Sequence, residues 1–166
     1  MKYFSGFGFK DESELFSSFL SYSEYDIAGF SYGAQKALQE ALKQTRVQKL
    51  ILLSPAIFTH LSVEEKKKQL EIFKSKQESY LNMFYKKCGI KKEHQKYLKT
   101  PIRSELEELF SFEWKSSDLS SLYQKGCKIE VHIGEMDKII DIEYAKRLFL
   151  PYGIIFFHHK VGHILK

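Results

Sequence analysis

Apolar positions along the chain alternate between the spacing of strands and the spacing of helices. Residues 2–5 form a short strand candidate, followed by Gly6-Phe7-Gly8. Leu15, Phe16, Phe19 and Leu20 share one face of a helix expected over 12–20. Tyr25–Ala28 reads as a second strand that ends at Gly29. Ala34, Ala37, Leu38, Ala41 and Leu42 then line one side of a helix over 34–43. Lys49–Leu53 is a continuous apolar run stopped by Ser54-Pro55, the mark of a strand buried on both faces. Lys128–Ile133 alternates as a strand does, and Gly153–Phe157 is the last strand candidate. Between these two, Asp141 caps a helix carrying Ile142, Ala145, Leu148 and Phe149, ended by Pro151.

Residues 56–115 break the alternation. Leu70, Phe73, Tyr80, Leu81 and Phe84 lie at helical spacing, with breaks at Gly89 and Pro101. Ser104 and Glu107 have the spacing of a capping box. No strand pattern occurs in this stretch, which is expected to be a helical insertion. A short helix with Leu119, Leu122 and Tyr123 follows it and closes at Gly126. The expected architecture is α/β: a single domain over 1–166 with a short, mainly parallel sheet of about five strands. Five parallel strands in sequence order, joined by right-handed crossovers, would place every crossover helix on one face. The other face would then need cover, from self-association or from 56–115 wrapping round it.

Composition narrows the class. With 43% hydrophobic and 28% charged residues the chain is ordinary globular protein. It has no apolar run long enough to span a membrane and no signal-peptide core near Met1, so a cytoplasmic location is expected. Cys88 and Cys127 are isolated and read as free thiols. The six histidines show no metal-ligand spacing, so neither a metal nor a cofactor is expected. The net charge of +5 is uneven: residues 66–103 hold 12 Lys or Arg against three acids, and the rest is net acidic. Such a basic stretch suits an acidic partner or a solvated face. Nucleic acid is a poor candidate, because no groove-reading or stacking motif accompanies the lysines.

The candidate chemistry starts at Gly29-Phe30-Ser31-Tyr32-Gly33, a G-x-S-x-G turn between a strand and a helix. That context displays a serine nucleophile at the tip of a strained turn. Asp137 lies just past strand 128–133, and His163 lies in the loop after strand 153–157. Working residues of parallel α/β sheets sit beyond the carboxyl ends of strands. His163 can take the serine proton, and Asp137 can orient the imidazole. Glu135 and Asp141 are the other acids near that strand end, and His158 and His159 the other bases. Asp141 has a competing task as helix cap, and the flexible Gly162 favours His163. The backbone N–H groups of Tyr32, after the nucleophile, and of Phe7, in the first glycine loop, are the expected oxyanion donors.

Ser5-Gly6-Phe7-Gly8, the Ser31 pentapeptide, Gly134-Glu135-Met136-Asp137 and Gly162-His163 together resemble an α/β-hydrolase. The opening Tyr3–Phe9 and the Lys128–Gly134 strand extend the likeness to the pimeloyl-acyl-carrier-protein methyl ester esterases, in their short, divergent BioV type. The chain departs from larger members in having room for only one helix and one strand between Ser5 and Ser31. It also lacks a helix after His163. The resemblance implies a minimal α/β-hydrolase whose 56–115 insertion is a lid. It implies hydrolysis of the pimeloyl methyl ester on acyl carrier protein, a step of biotin biosynthesis. Phe73, Tyr80 and Phe84 would then line an acyl channel. Lys86, Lys87, Lys91, Lys92 and Arg103 would meet the acidic carrier. Self-association remains a further expectation.

Overall fold

A computed structural model describes residues 1–21 and 23–166. Five strands form one parallel sheet in sequence order: β1 (Lys2–Phe4), β2 (Asp26–Phe30), β3 (Lys49–Leu53), β4 (Lys128–Gly134) and β5 (Gly153–His158). The helices are α1 (Tyr32–Lys43), α2 (Val63–Ser75), α3 (Gln77–Cys88), α4 (Arg103–Ser111), α5 (Ser116–Gln124) and α6 (Ile142–Phe149). The central strand β3 has Leu50, Ile51, Leu52 and Leu53 fully buried, as its unbroken apolar run requires. Among the described residues no helix is long and apolar enough to cross a membrane.

The register sets two faces. Lys2 and Phe4 share one with Leu50, Leu52, Val131 and Phe157; Tyr3 shares the other with Ala28, Phe30, His132 and Phe156. Glu40 of α1 binds Lys2 at 2.7 Å, and Lys146 of α6 lies over the Phe157 ring. Both helices therefore cover the first face. The connection from β1 to β2 lies on the second. Its Glu12 reaches Tyr3, Phe16 packs on Phe30, and Phe19 packs on His132 and His158. The expectation of a single covered face is thus corrected, and the 56–115 insertion reaches this cover where Lys96 and Tyr97 bind Glu14. All steps run the same way across the sheet, so connections on opposite faces have opposite hands. One crossover breaks the right-handed rule. The described residues of 5–25 hold no α-helix, and the rule rests on a helix packing back onto a twisted strand. Here only a 3₁₀ helix, Glu12–Phe16, forms instead of the helix expected over 12–20.

One local expectation also shifts. Helix α4 begins at Arg103, so Ser104 lies inside it; Glu105, not Glu107, turns back to accept the Ile102 N–H at 3.0 Å. The capping box instead belongs to α2, where Ser62 and Glu65 exchange backbone bonds.

On the second face the His132 Nδ1 and His158 Nε2 atoms lie 3.0 Å apart, and the buried His132 Nε2 has no partner. Burial, then the neighbouring His158 and Lys49, push the His132 pKa from 6.5 down to about 4. The folded imidazole is neutral where the unfolded one takes a proton. Its contribution is therefore fully present above pH 6.5 and lost as pH falls towards 4, worth at most about 3 kcal/mol. Urea unfolding across that range is expected to show the loss, and His132→Phe is expected to flatten it.

Candidate active site

Ser31 sits between β2 and α1 with φ 53° and ψ −113°, a strained conformation for a residue with a side chain. The surrounding backbone holds it there. Its N–H donates to Leu53 at 2.8 Å, and its carbonyl accepts from Ala34 and Ala56. The turn can be this tight because Gly33 has no Cβ; one would lie 2.0 Å from the Phe4 carbonyl oxygen. Helix α1 thus starts directly against the end of β1.

The structure brings Ser31, His163 and Asp137 into one chain of contacts. His163 Nε2 is 2.9 Å from Ser31 Oγ, and His163 Nδ1 is 2.7 Å from Asp137 Oδ2. The other Asp137 oxygen accepts from the Ile139 N–H at 2.8 Å. Ser31 is 2% exposed and His163 is fully buried. An aspartate so held keeps the imidazole in one tautomer, with its far nitrogen free to take the serine proton. The competing groups have other partners. Glu135 meets His159, Asp141 caps α6 and accepts from Thr59, and His158 pairs with His132. The two cysteines are buried, and burial pushes both thiols up, Cys127 to about 11. Neither is a rival nucleophile at neutral pH.

Among the described residues, the Phe7 and Tyr32 N–H groups have no protein acceptor. The loop carrying Phe7 is pinned from two sides. Lys99 N–H donates to the Gly8 carbonyl at 2.9 Å, and Lys10 N–H to the Tyr97 carbonyl at 2.8 Å. On the other side the Glu12 carboxylate accepts from the Gly6 N–H at 2.9 Å and from the Tyr3 hydroxyl at 3.1 Å. Glu12 is fully buried, and sequence reasoning missed it: a glutamate in a helix-like stretch reads as surface. Ser54 was missed in the same way. It follows β3 with φ 43°, and its hydroxyl donates to the His163 carbonyl at 2.7 Å.

The side chains of Phe7 and Tyr32 attach the insertion to the site. Phe7 packs on Phe73 and Phe84, and the Tyr32 hydroxyl donates to Glu108 of α4. A cavity of about 140 Å³ opens beside Phe7, lined by Phe58, Tyr80, Phe84, Leu106 and Phe110. Tyr80 and Phe84 thus face the cavity, while Phe73 packs behind them against Phe7 and Tyr80. Lys87 and Lys138 stand at its rim. Lys86, Lys87, Lys91 and Lys92 are exposed and form no ion pair among the described residues; Arg103 is paired with Glu107 at 2.7 Å. No cluster of three metal-ligating side chains occurs among the described residues.

The five-stranded parallel sheet and its helices have the α/β-hydrolase fold. The chain is similar to an esterase from Exiguobacterium antarcticum, with a TM-score of 0.67 and 19% identity over 83% of its length. A bromoperoxidase from Bacillus anthracis gives 0.66 and 14% over 83%, and the naproxen esterase of Bacillus subtilis 0.56 and 16% over 83%. The chain spans only 59%, 60% and 53% of these three structures. No family model matches it, and no curated protein does.

Proposed function

We propose that the protein is a serine hydrolase of carboxylic esters, and that its substrate is the methyl ester of a pimeloyl chain on acyl carrier protein. The observation that carries the first part is the unbroken chain from Ser31 through His163 to Asp137, at 2.9 and 2.7 Å. Ser31 Oγ attacks the ester carbonyl while His163 Nε2 takes its proton. The resulting oxyanion is held by the Phe7 and Tyr32 amides, each worth roughly 10²–10³-fold in rate. His163 then protonates the departing methanol, leaving an acyl-enzyme. Water, activated by the same histidine, releases the free carboxylate and Ser31. No metal or cofactor is needed for these steps. Two of the three similar structures are named as esterases, which agrees with this chemistry.

The choice of substrate rests on the resemblance and on the insertion. The apolar cavity beside Phe7 suits an acyl chain, and the unpaired lysines of α3 and the turn after it suit an acidic carrier. With Ser31 nearly buried, the 56–115 segment serves as a lid that parts to admit the chain. The test incubates the protein with pimeloyl-acyl-carrier-protein methyl ester and measures methanol and free thiol separately. Methanol release with the thioester intact is expected; thiol release would make it a thioesterase instead. Changing Lys86, Lys87, Lys91 and Lys92 to Glu is expected to raise KM for the carrier-bound ester and to spare a small ester. Equal loss on both would remove the carrier from the proposal.

A further inference from the structure

We propose that two copies of this chain pair edge to edge through β5, forming one continuous sheet about a twofold axis. Strand β5 ends the sheet and pairs with β4 alone, so its outer row of N–H and C=O groups is unpaired. Its sequence, Gly153-Ile-Ile-Phe-Phe-His158, contains no proline, lysine, arginine or acid. Ile154 is 61% exposed, and Phe156 and Phe157 are each 40% exposed. Leu150, just before the strand, is 68% exposed. Proteins that leave a sheet edge open to water shorten it, charge it or bend it. The opposite edge does this: β1 has three residues, and its Lys2 is bound to Glu40. Strand β5 has none of these devices. The cation lying over Phe157, Lys146, is neutralised by Glu143 at 2.6 Å.

What covers such an edge must supply both strand backbone and apolar side chains on both faces. A second β5 supplies both. A twofold axis normal to the sheet runs the two strands antiparallel and keeps every side chain on its own face. Opposed residues must then have numbers of the same parity. Centred on Ile155, the pairing sets Ile154 of each copy beside Phe156 of the other, an aromatic on a β-branched residue. Ile155 meets itself, and Phe157 lies over Gly153, which offers no competing side chain. Centred on Phe156, the pairing would set Ile154 against the imidazole of His158. The chemistry of the strand therefore selects the Ile155 register. The same strand leads into the loop of His163, and its end is tied to the loop of Asp137 through the Glu135 N–H bond to the His158 carbonyl. Pairing stiffens that end of the sheet in each copy.

Sedimentation velocity of the purified chain over a wide concentration range tests the pairing. The expected mass is twice that of one chain. Ile154→Lys places a charge at the centre of the contact and is expected to halve the mass. Because Ile154 is exposed in the single chain, the circular dichroism spectrum should not change. Should that variant not fold, Ile155→Cys decides. It is expected to form an interchain disulfide on a non-reducing gel, whereas Ile154→Cys holds the two sulfurs too far apart. A single-chain mass at all concentrations would overturn the proposal. So would higher polymers, or a dimer that Ile154→Lys leaves intact and Ile155→Cys does not cross-link.

Discussion

Ser31→Ala is expected to lower kcat for any ester the protein cleaves by roughly 10⁴- to 10⁶-fold, with little change in KM. The size of the loss follows from geometry. Ser31 Oγ is the atom that His163 Nε2 contacts at 2.9 Å, and no other nucleophile is near neutral-pH reactivity. Alanine removes the hydroxyl whose proton the imidazole takes, and a water that the turn does not hold in place must attack instead. The oxyanion amides belong to the backbone, so a residue of the rate enhancement survives. Structure should survive as well, because the turn is held by main-chain bonds to Leu53, Ala34 and Ala56. A fluorophosphonate probe gives a second readout, labelling the natural chain at Ser31 and leaving the variant unlabelled. Undiminished turnover in the variant would end the serine mechanism.

That serine was legible because its chemistry is local. Strand, G-x-S-x-G turn and helix occupy consecutive residues, and a strained turn leaves a mark in glycines. Asp137 and His163 were legible one step further out. Each follows a strand whose apolar run is plain, and in a parallel sheet all such ends lie on one side. The strand order followed from crossovers that all move one way across the sheet. The face taken by the first crossover was not legible. It is settled by Phe16 finding Phe30, and by Phe19 finding His132 and His158, contacts that no short window contains. Glu12 was hidden for a related reason: its spacing puts it on the same face as Leu15, Phe16, Phe19 and Leu20, but a carboxylate there reads as surface until its partners Gly6 and Tyr3, which lie across a turn, are known. Capping boxes misled at Ser104 because the pattern is short, and Pro101 with Ile102 sets the helix start nearer by.

Gly162 was read as the hinge that lets His163 swing towards Ser31, and the structure moves that requirement to Gly134. A Cβ on Gly162 would meet only the Met136 carbonyl oxygen, at an ordinary 3.8 Å. A Cβ on Gly134 would lie 2.3 Å from the Gly162 carbonyl oxygen and 2.5 Å from that of Val161. The loop of the base crosses directly over the end of β4, so close that only glycine fits beneath it. Two backbone bonds hold it there, from Glu135 N–H to His158 and from Met136 N–H to Val161, each 3.0 Å. Gly134→Ala must push this loop away by about 1 Å to reach normal contact. A displacement of that size at a reacting group costs about 10²-fold in rate. The same strain is expected to destabilise the fold by about 1–3 kcal/mol. Gly162→Ala, one residue from the base, is expected to change kcat and the urea midpoint little. The pair separates crowding from flexibility. If freedom at Gly162 positioned the histidine, its alanine variant would be the slow one and that of Gly134 would keep its rate.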